Sequence, residues 1–153
     1  MREPAIFWWP GKIEAGAVTG QIACTMDVFA TAVRLAGGEL PADRTIDGVD
    51  LSPLLFGTGP GPRQSLVYYR DTTAYAIRKG RYKAHVATRG GYGKDSAVRH
   101  DPPLLFDLGV DPSEKYNVAK DHPDVVADLL RLLAEHEAGV KPGENQLEKD
   151  SPR

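Results

Sequence analysis

The sequence predicts an α+β fold: an antiparallel sheet of about four strands packed on a C-terminal helix, preceded by a strand–helix unit. Three observations carry this. Strand-like apolar runs cluster between residues 65 and 108, separated by turn residues. One stretch with helical spacing follows, from His122 to Gly139. The first 60 residues instead offer a single apolar run, Ala5-Ile6-Phe7-Trp8-Trp9, and then a helical pattern.

Ala5 to Trp9 has no polar alternation and is bounded by Pro4 and by Pro10-Gly11. That is the pattern of a strand covered on both faces, as inside a parallel or mixed sheet. Such a strand needs neighbours on both edges, and no second run of that kind lies nearby. A helix is expected next, with Thr25 as N-cap, Asp27 in the first turn and Gly37-Gly38 as the stop. Phe29, Ala32, Val33 and Ala36 fall at i, i+3, i+4 and i+7 and form its apolar stripe. Asp47-Gly48 marks a turn, and Ser52-Pro53 opens a single helical turn, Leu54 to Phe56. Gly57 to Pro62 (GTGPGP) reads as a linker.

Beyond it, Ser65 to Tyr69, Ala74 to Arg78, Arg81 to Ala87 and Leu104 to Leu108 read as strands, with Lys79-Gly80 as a tight hairpin loop. Tyr82, Ala84 and Val86 share one face of the third strand, Lys83 and His85 the other. Thr88 to Val98, with three glycines and alternating charge, is expected to be a mobile loop. Asp111-Pro112-Ser113 is a turn. The last helix starts at His122-Pro123 and buries Val126, Leu129, Leu130, Leu133 and His136 or Glu137. Gly139 ends it, and 141–153 reads as a loose tail. The expected organisation is a strand and helix over 1–60, a small domain over 61–140, and the tail.

Composition narrows the function. Of 153 residues, 41% are hydrophobic and 26% charged, which excludes a disordered chain. Nineteen basic and 21 acidic residues are interspersed, leaving no basic stripe for a nucleic-acid partner. The longest apolar run is five residues in sequence, against roughly 20 for a membrane span. A single cysteine, Cys24, excludes an internal disulfide and a multi-thiolate metal site. The N-terminus shows no basic-then-apolar signal segment.

No complete catalytic constellation emerges from the residues alone. Cys24 precedes a helix, where the macrodipole favours a thiolate, but it reads more simply as a small buried residue beside a cap. Asp47, Asp50, Asp107, Asp111 and Glu114 lack the alternating spacing of a calcium loop and read as turn formers. His85, His100, His122 and His136 form no helical ligand pair. His85 and His100 flank the glycine-rich loop and are the better candidates for a polar pocket. Gly90-Gly91-Tyr92-Gly93-Lys94 lacks the spacing of a P-loop, and no serine has nucleophile-elbow surroundings.

Six segments, in order, carry a family resemblance. Arg2 to Gly11 (REPAIFWWPG) resembles the R-x-P…W-P-G segment in the later half of sulfatases. Met26 to Thr31 with Leu35-Ala36-Gly37 resembles that family's following helix, and Ile46 to Leu55 its D-G-x-[DN]-L-x-P-x-L turn. Tyr82-Lys83-Ala84-His85, Pro102 to Leu108 (PPLLFDL) and Asp111 to Asn117 (DPSEKYN) are similar to the Y-K-A-H strand, the P-P-L-L-[YF]-D-L strand and the D-P-x-E-x-x-N turn of its arylsulfatase A branch.

The resemblance implies an alkaline-phosphatase-like α/β core, whose last strand and helix would be residues 1–60, and the small C-terminal domain over 61–140. It implies sulfate-ester hydrolysis by a formylglycine made from the cysteine of C-x-P-S-R. A cation, usually calcium, is held by Asp and Asn, and Lys, His and Arg bind the sulfate. Those groups lie ahead of the R-x-P segment in the family, so this chain is expected to be a C-terminal fragment without turnover of its own. Cys24, followed by Thr25-Met26-Asp27, does not match C-x-P-S-R. Neither calcium nor formylglycine is expected within these residues. The loop from Thr88 to His100 would lean over the active-site mouth of a complete enzyme. Tyr92, Lys94 and His100 are the candidates there for contacting a sulfate-ester substrate: Lys94 as a point charge, Tyr92 as a face for a sugar ring. The alternative is a non-catalytic interaction module that self-associates through the exposed strand edge, as a homo-oligomer, or docks on a separate catalytic chain.

Overall fold

A computed structural model describes residues 3–90 and 95–141. The chain divides between Leu66 and Val67 into two compact units. No helix among the described residues is long and apolar enough to cross a membrane.

The first unit holds α1 (Met26–Leu35) and the short α2 (Ser52–Leu55). Residues 5–9 form no strand, contrary to expectation. Ile6 is 93% and Trp8 83% exposed, while Trp9 turns its ring edge-on to Phe56 at 6.0 Å. The reason is pairing: a strand exists only as part of a ladder, and no described segment offers these backbone groups one.

Helix α1 also departs from expectation. Its anchoring face is Asp27, Ala30 and Thr31, all buried, whereas Phe29 and Ala32 of the apolar stripe are exposed. Polar anchors win here because each finds a partner. Thr31 Oγ1 donates to the Asp27 carbonyl at 2.7 Å and accepts the Leu51 N–H at 2.9 Å. Thr25 already has helical dihedrals and makes no side-chain cap. The cap position therefore falls on Cys24, whose N–H donates to Asp27 Oδ2 at 2.8 Å, half of a capping box.

The Asp47-Gly48 turn lies close against α1. A methyl group on Gly48 would overlap the Met26 carbonyl, so only glycine permits the approach. Asp50 Oδ1 then accepts from the Ser52 N–H and hydroxyl at the start of α2.

The second unit is built on four antiparallel strands in the order β1-β2-β3-β4: β1 (Ser65–Arg70), β2 (Thr73–Lys79), β3 (Tyr82–Thr88) and β4 (Val98–Asp107). Helix α3 (Pro123–Gly139) covers one face. Ile77, Ala84 and Leu105 lie side by side in register and meet Val126, Leu129 and Leu133 of α3. Leu130 and His136, expected on the buried side, are exposed. The β2–β3 hairpin closes on Lys79↔Tyr82, so its loop is Gly80-Arg81, one residue later than expected. Gly80 supplies the positive φ (55°) that the first loop position requires.

Strand β4 begins six residues earlier than its apolar run. Its register with β3 slips between His85↔Leu104 and Ala87↔Arg99, and Pro102-Pro103 sit in that irregularity. Proline cannot donate to a ladder, and a bulge is where a strand tolerates it.

Candidate functional site

His100 is half-buried on β4, its Nε2 2.8 Å from Thr88 Oγ1 on β3. The hydroxyl fixes the ring at the end of the hairpin from which residues 89–97 depart. Of the other candidates in this loop, Tyr92 and Lys94 lie outside the described residues. Arg89 Nε donates to the Asp95 carbonyl at 2.5 Å across the loop's base.

A second cluster assembles from residues far apart in sequence. Lys83 and His85 project from the β3 face opposite α3, as their alternation dictates. Glu114, in the turn after β4, receives both: Lys83 Nζ donates to Oε1 at 2.7 Å, and His85 Nε2 lies 2.6 Å from Oε2. Lys83 is 4% exposed, its ammonium lying 4.8 Å from the Tyr68 ring centroid. The His85 ring meets Phe106 edge-on at 5.7 Å.

Burial pushes the His85 imidazole below its ordinary value, and the Lys83 ammonium adds to this against the pull of Glu114. For Glu114 burial acts upward, but the hydrogen bond and charge of Lys83, helped by His85, hold the carboxyl below the usual glutamate range. The turn is itself well held. Asp111 Oδ2 accepts from the Lys115 and Tyr116 N–H groups, and Asn117 Oδ1 from those of Leu105 and Ala119. Sequence reasoning placed Lys83 and His85 on one face and Glu114 in a turn without joining them. The signal was an unpaired Lys-x-His on one strand face followed by a carboxylate in the turn leaving the neighbouring strand.

In the first unit the charged centre is Asp27 with Arg63. Asp27 is fully buried, and both its oxygens are engaged by the Arg63 guanidinium. It also accepts the Val49 N–H at 3.0 Å, and Arg63 Nη2 donates to the Asp47 carbonyl at 2.7 Å. One guanidinium thus ties α1 to the Asp47-Gly48 turn.

The described residues do not fit a calcium ion. That ion takes six to eight oxygens, several from carboxylates. Asp27 is filled by Arg63, Asp50 caps α2, Asp107 pairs with Arg81, Asp111 caps its turn and Glu114 holds Lys83 and His85. No group of three His, Cys, Asp or Glu among the described residues is placed to share a metal. Cys24 occupies a helix cap in a Cys-Thr-Met-Asp context, which does not fit a formylglycine precursor.

Comparison with known proteins places this architecture. Residues 61–152 match the family described as the C-terminal region of aryl-sulfatase. Arylsulfatase A of Homo sapiens is 43% identical over 96% of the chain, and N-acetylgalactosamine-6-sulfatase of Mus musculus 36% over 96%. The chain spans about a third of the length of these relatives: 33% and 32%. The crystal structure of PsFucS1 sulfatase from Pseudoalteromonas sp. superposes with a TM-score of 0.75 at 25% identity, over 86% of this chain and 28% of that one. With a family match over more than half of its length and relatives above 30% identity along nearly all of it, the chain belongs to the sulfatase family and matches the C-terminal portion of its arylsulfatases.

Proposed function

We propose that the chain serves as the C-terminal part of an arylsulfatase-like sulfuric ester hydrolase, supplying scaffold and a substrate-mouth loop while the catalytic centre belongs to the region its relatives carry ahead of it. One observation carries this: 96% of the chain aligns with a third of each relative, and its one cysteine stands in an unrelated motif. Cleaving a sulfate ester calls for a nucleophile, a cation polarising the sulfuryl oxygens and an acid for the leaving group. Asp27, Asp50, Asp107, Asp111 and Glu114 are committed to caps and ion pairs instead. In the complete enzyme, His100, oriented by Thr88, would meet the sulfated substrate together with Tyr92 and Lys94.

Incubating the chain with a chromogenic aryl sulfate and calcium is expected to give no turnover above a heat-treated control. Loss of a nucleophile and its partners costs several powers of ten. Measurable calcium-dependent hydrolysis by the chain alone would overturn the reading.

A second reading, an interaction module, is favoured by the exposed apolar side chains of the first unit: Ile6, Trp8, Val28 and Phe29. With no strand at 5–9, association would run through these side chains rather than along a strand edge. Size-exclusion chromatography with light scattering is expected to show a homo-oligomer whose fraction grows with concentration and falls in a Trp8→Ser, Phe29→Ser variant. A monomer at every concentration sinks this second reading and leaves the first intact.

A further inference from the structure

The Lys83–Glu114–His85 cluster does more than add two ion pairs. It joins β3 to a turn that lies 29 to 31 residues away in sequence. Glu114 makes these contacts from a left-handed backbone, with φ 56°, a conformation that non-glycine side chains rarely adopt. The same turn passes through Asn117 and Val118 onto both backbone groups of Leu105: Asn117 Oδ1 takes its N–H at 3.0 Å, and Val118 N–H reaches its carbonyl at 2.8 Å. We propose that Lys83, Glu114 and His85 form an acid-sensitive clasp that holds the 111–119 segment against β3 and β4 and loosens when His85 takes up a second proton.

The balance of charge in a confined space decides the outcome. With His85 neutral and its proton on Nε2, one carboxylate receives one ammonium and one neutral N–H donor. Protonating Nδ1 gives two cations for one carboxylate. Among the described residues, the other groups facing the imidazole offer no second carboxylate. From β4 it meets the Phe106 ring and stands opposite Leu104; from β2 it stands opposite Ala76, with Arg78 next along opposite Lys83. From β1 the Tyr68 ring faces Lys83. From the turn the facing charge is Glu114, while Asp111 is turned to its own N–H groups. Among the described residues, the neighbours just named are therefore uncharged or positive apart from Glu114.

The sign follows from the shift. The clasped His85 sits below its ordinary 6.5, so as pH falls through that value the released form binds a proton before the clasped form does. Opening then gains up to about tenfold per pH unit until the clasped imidazole titrates. Glu114, also held below its ordinary 4.5, adds a second loss only at lower pH.

Amide hydrogen exchange on the full chain between pH 7.5 and 5, expressed as protection relative to the intrinsic rate at each pH, tests this. Protection at Leu105, Lys115, Tyr116 and Ala119 is expected to fall with pH while the middle of α3 keeps its protection. In His85→Gln, which retains a donor for Glu114, that slope should vanish. A direct NMR titration of His85 in the unmodified chain is expected to lie below 6.5. Three results overturn the clasp: pH-independent protection at these amides, an equal slope throughout α3, or an imidazole titrating at or above 6.5. An unchanged slope in His85→Gln overturns it as well.

Discussion

Replacing Arg63 by alanine is expected to destabilise the first unit by about 3–5 kcal/mol, the cost of stripping the partner from a buried charge. Asp27 is fully buried, and the guanidinium engages both its oxygens. Burial alone would push its carboxyl up; the hydrogen bonds from Arg63, Val49 and Cys24 outweigh this and hold it below 3.8. A depressed carboxylate contributes stability that is present above its unfolded value and is lost as pH falls through its folded one. In Arg63→Ala only two N–H donors remain, so the carboxyl moves upward and acid unfolding should begin at a higher pH. Urea denaturation, with amide exchange across α1 as the local probe, measures both effects. An Asp27→Asn, Arg63→Gln double variant should recover part of the loss by removing the stranded charge. A loss under about 1 kcal/mol in Arg63→Ala would mean that the buried carboxylate finds water or another partner.

That centre shows where sequence reasoning stops. In α1 the apolar spacing of Phe29, Ala32, Val33 and Ala36 pointed at one face, but the helix docks through Asp27, Ala30 and Thr31. Periodicity weighs hydrophobic area and cannot see that Arg63, 36 residues later, makes an acidic residue a better anchor than a phenylalanine. In the second unit patterning succeeded because the forces are local. Alternation along β3, a glycine where φ must be positive, and Val126, Leu129 and Leu133 at i, i+3 and i+7 on α3 all point to the same sheet-and-helix layer. β4 was read from its apolar run alone, and its first six residues, Val98 to Pro103, lie across a register slip that no apolar pattern marks.

The candidate site was legible to a similar depth. His100 was singled out as a loop-flanking residue and is fixed by Thr88, a partner 12 residues away across the hairpin. Lys83 and His85 were placed on their correct face. Their shared carboxylate was not found, because Glu114 comes from a turn 29 to 31 residues away, with a left-handed backbone that no spacing rule describes.

Truncating Leu105 to alanine should cost the second unit about 4 kcal/mol, near the upper part of the range for leucine in a core. How far a site can collapse decides the cost, and this one collapses poorly. Leu105 is fully buried, and its backbone is fixed on both sides by Asn117 and Val118. Three of its companions in the core, Ala74, Ala84 and Ala119, are already small and have no side chain to swing into the gap. Leu129 and Leu133 approach from α3, whose position is set by several strands at once. Domains of this size are stable by roughly 5–15 kcal/mol, so the loss consumes much of the margin. Urea denaturation should show the midpoint falling at unchanged slope, and Ile77→Val, one methylene smaller on the same face, should lose only about 1 kcal/mol. Equal losses in the two variants would mean that the interior yields freely. The hydrogen-bonded turn would then not be what holds Leu105 in place, and the rigidity argued for the 111–119 segment would lose its structural basis.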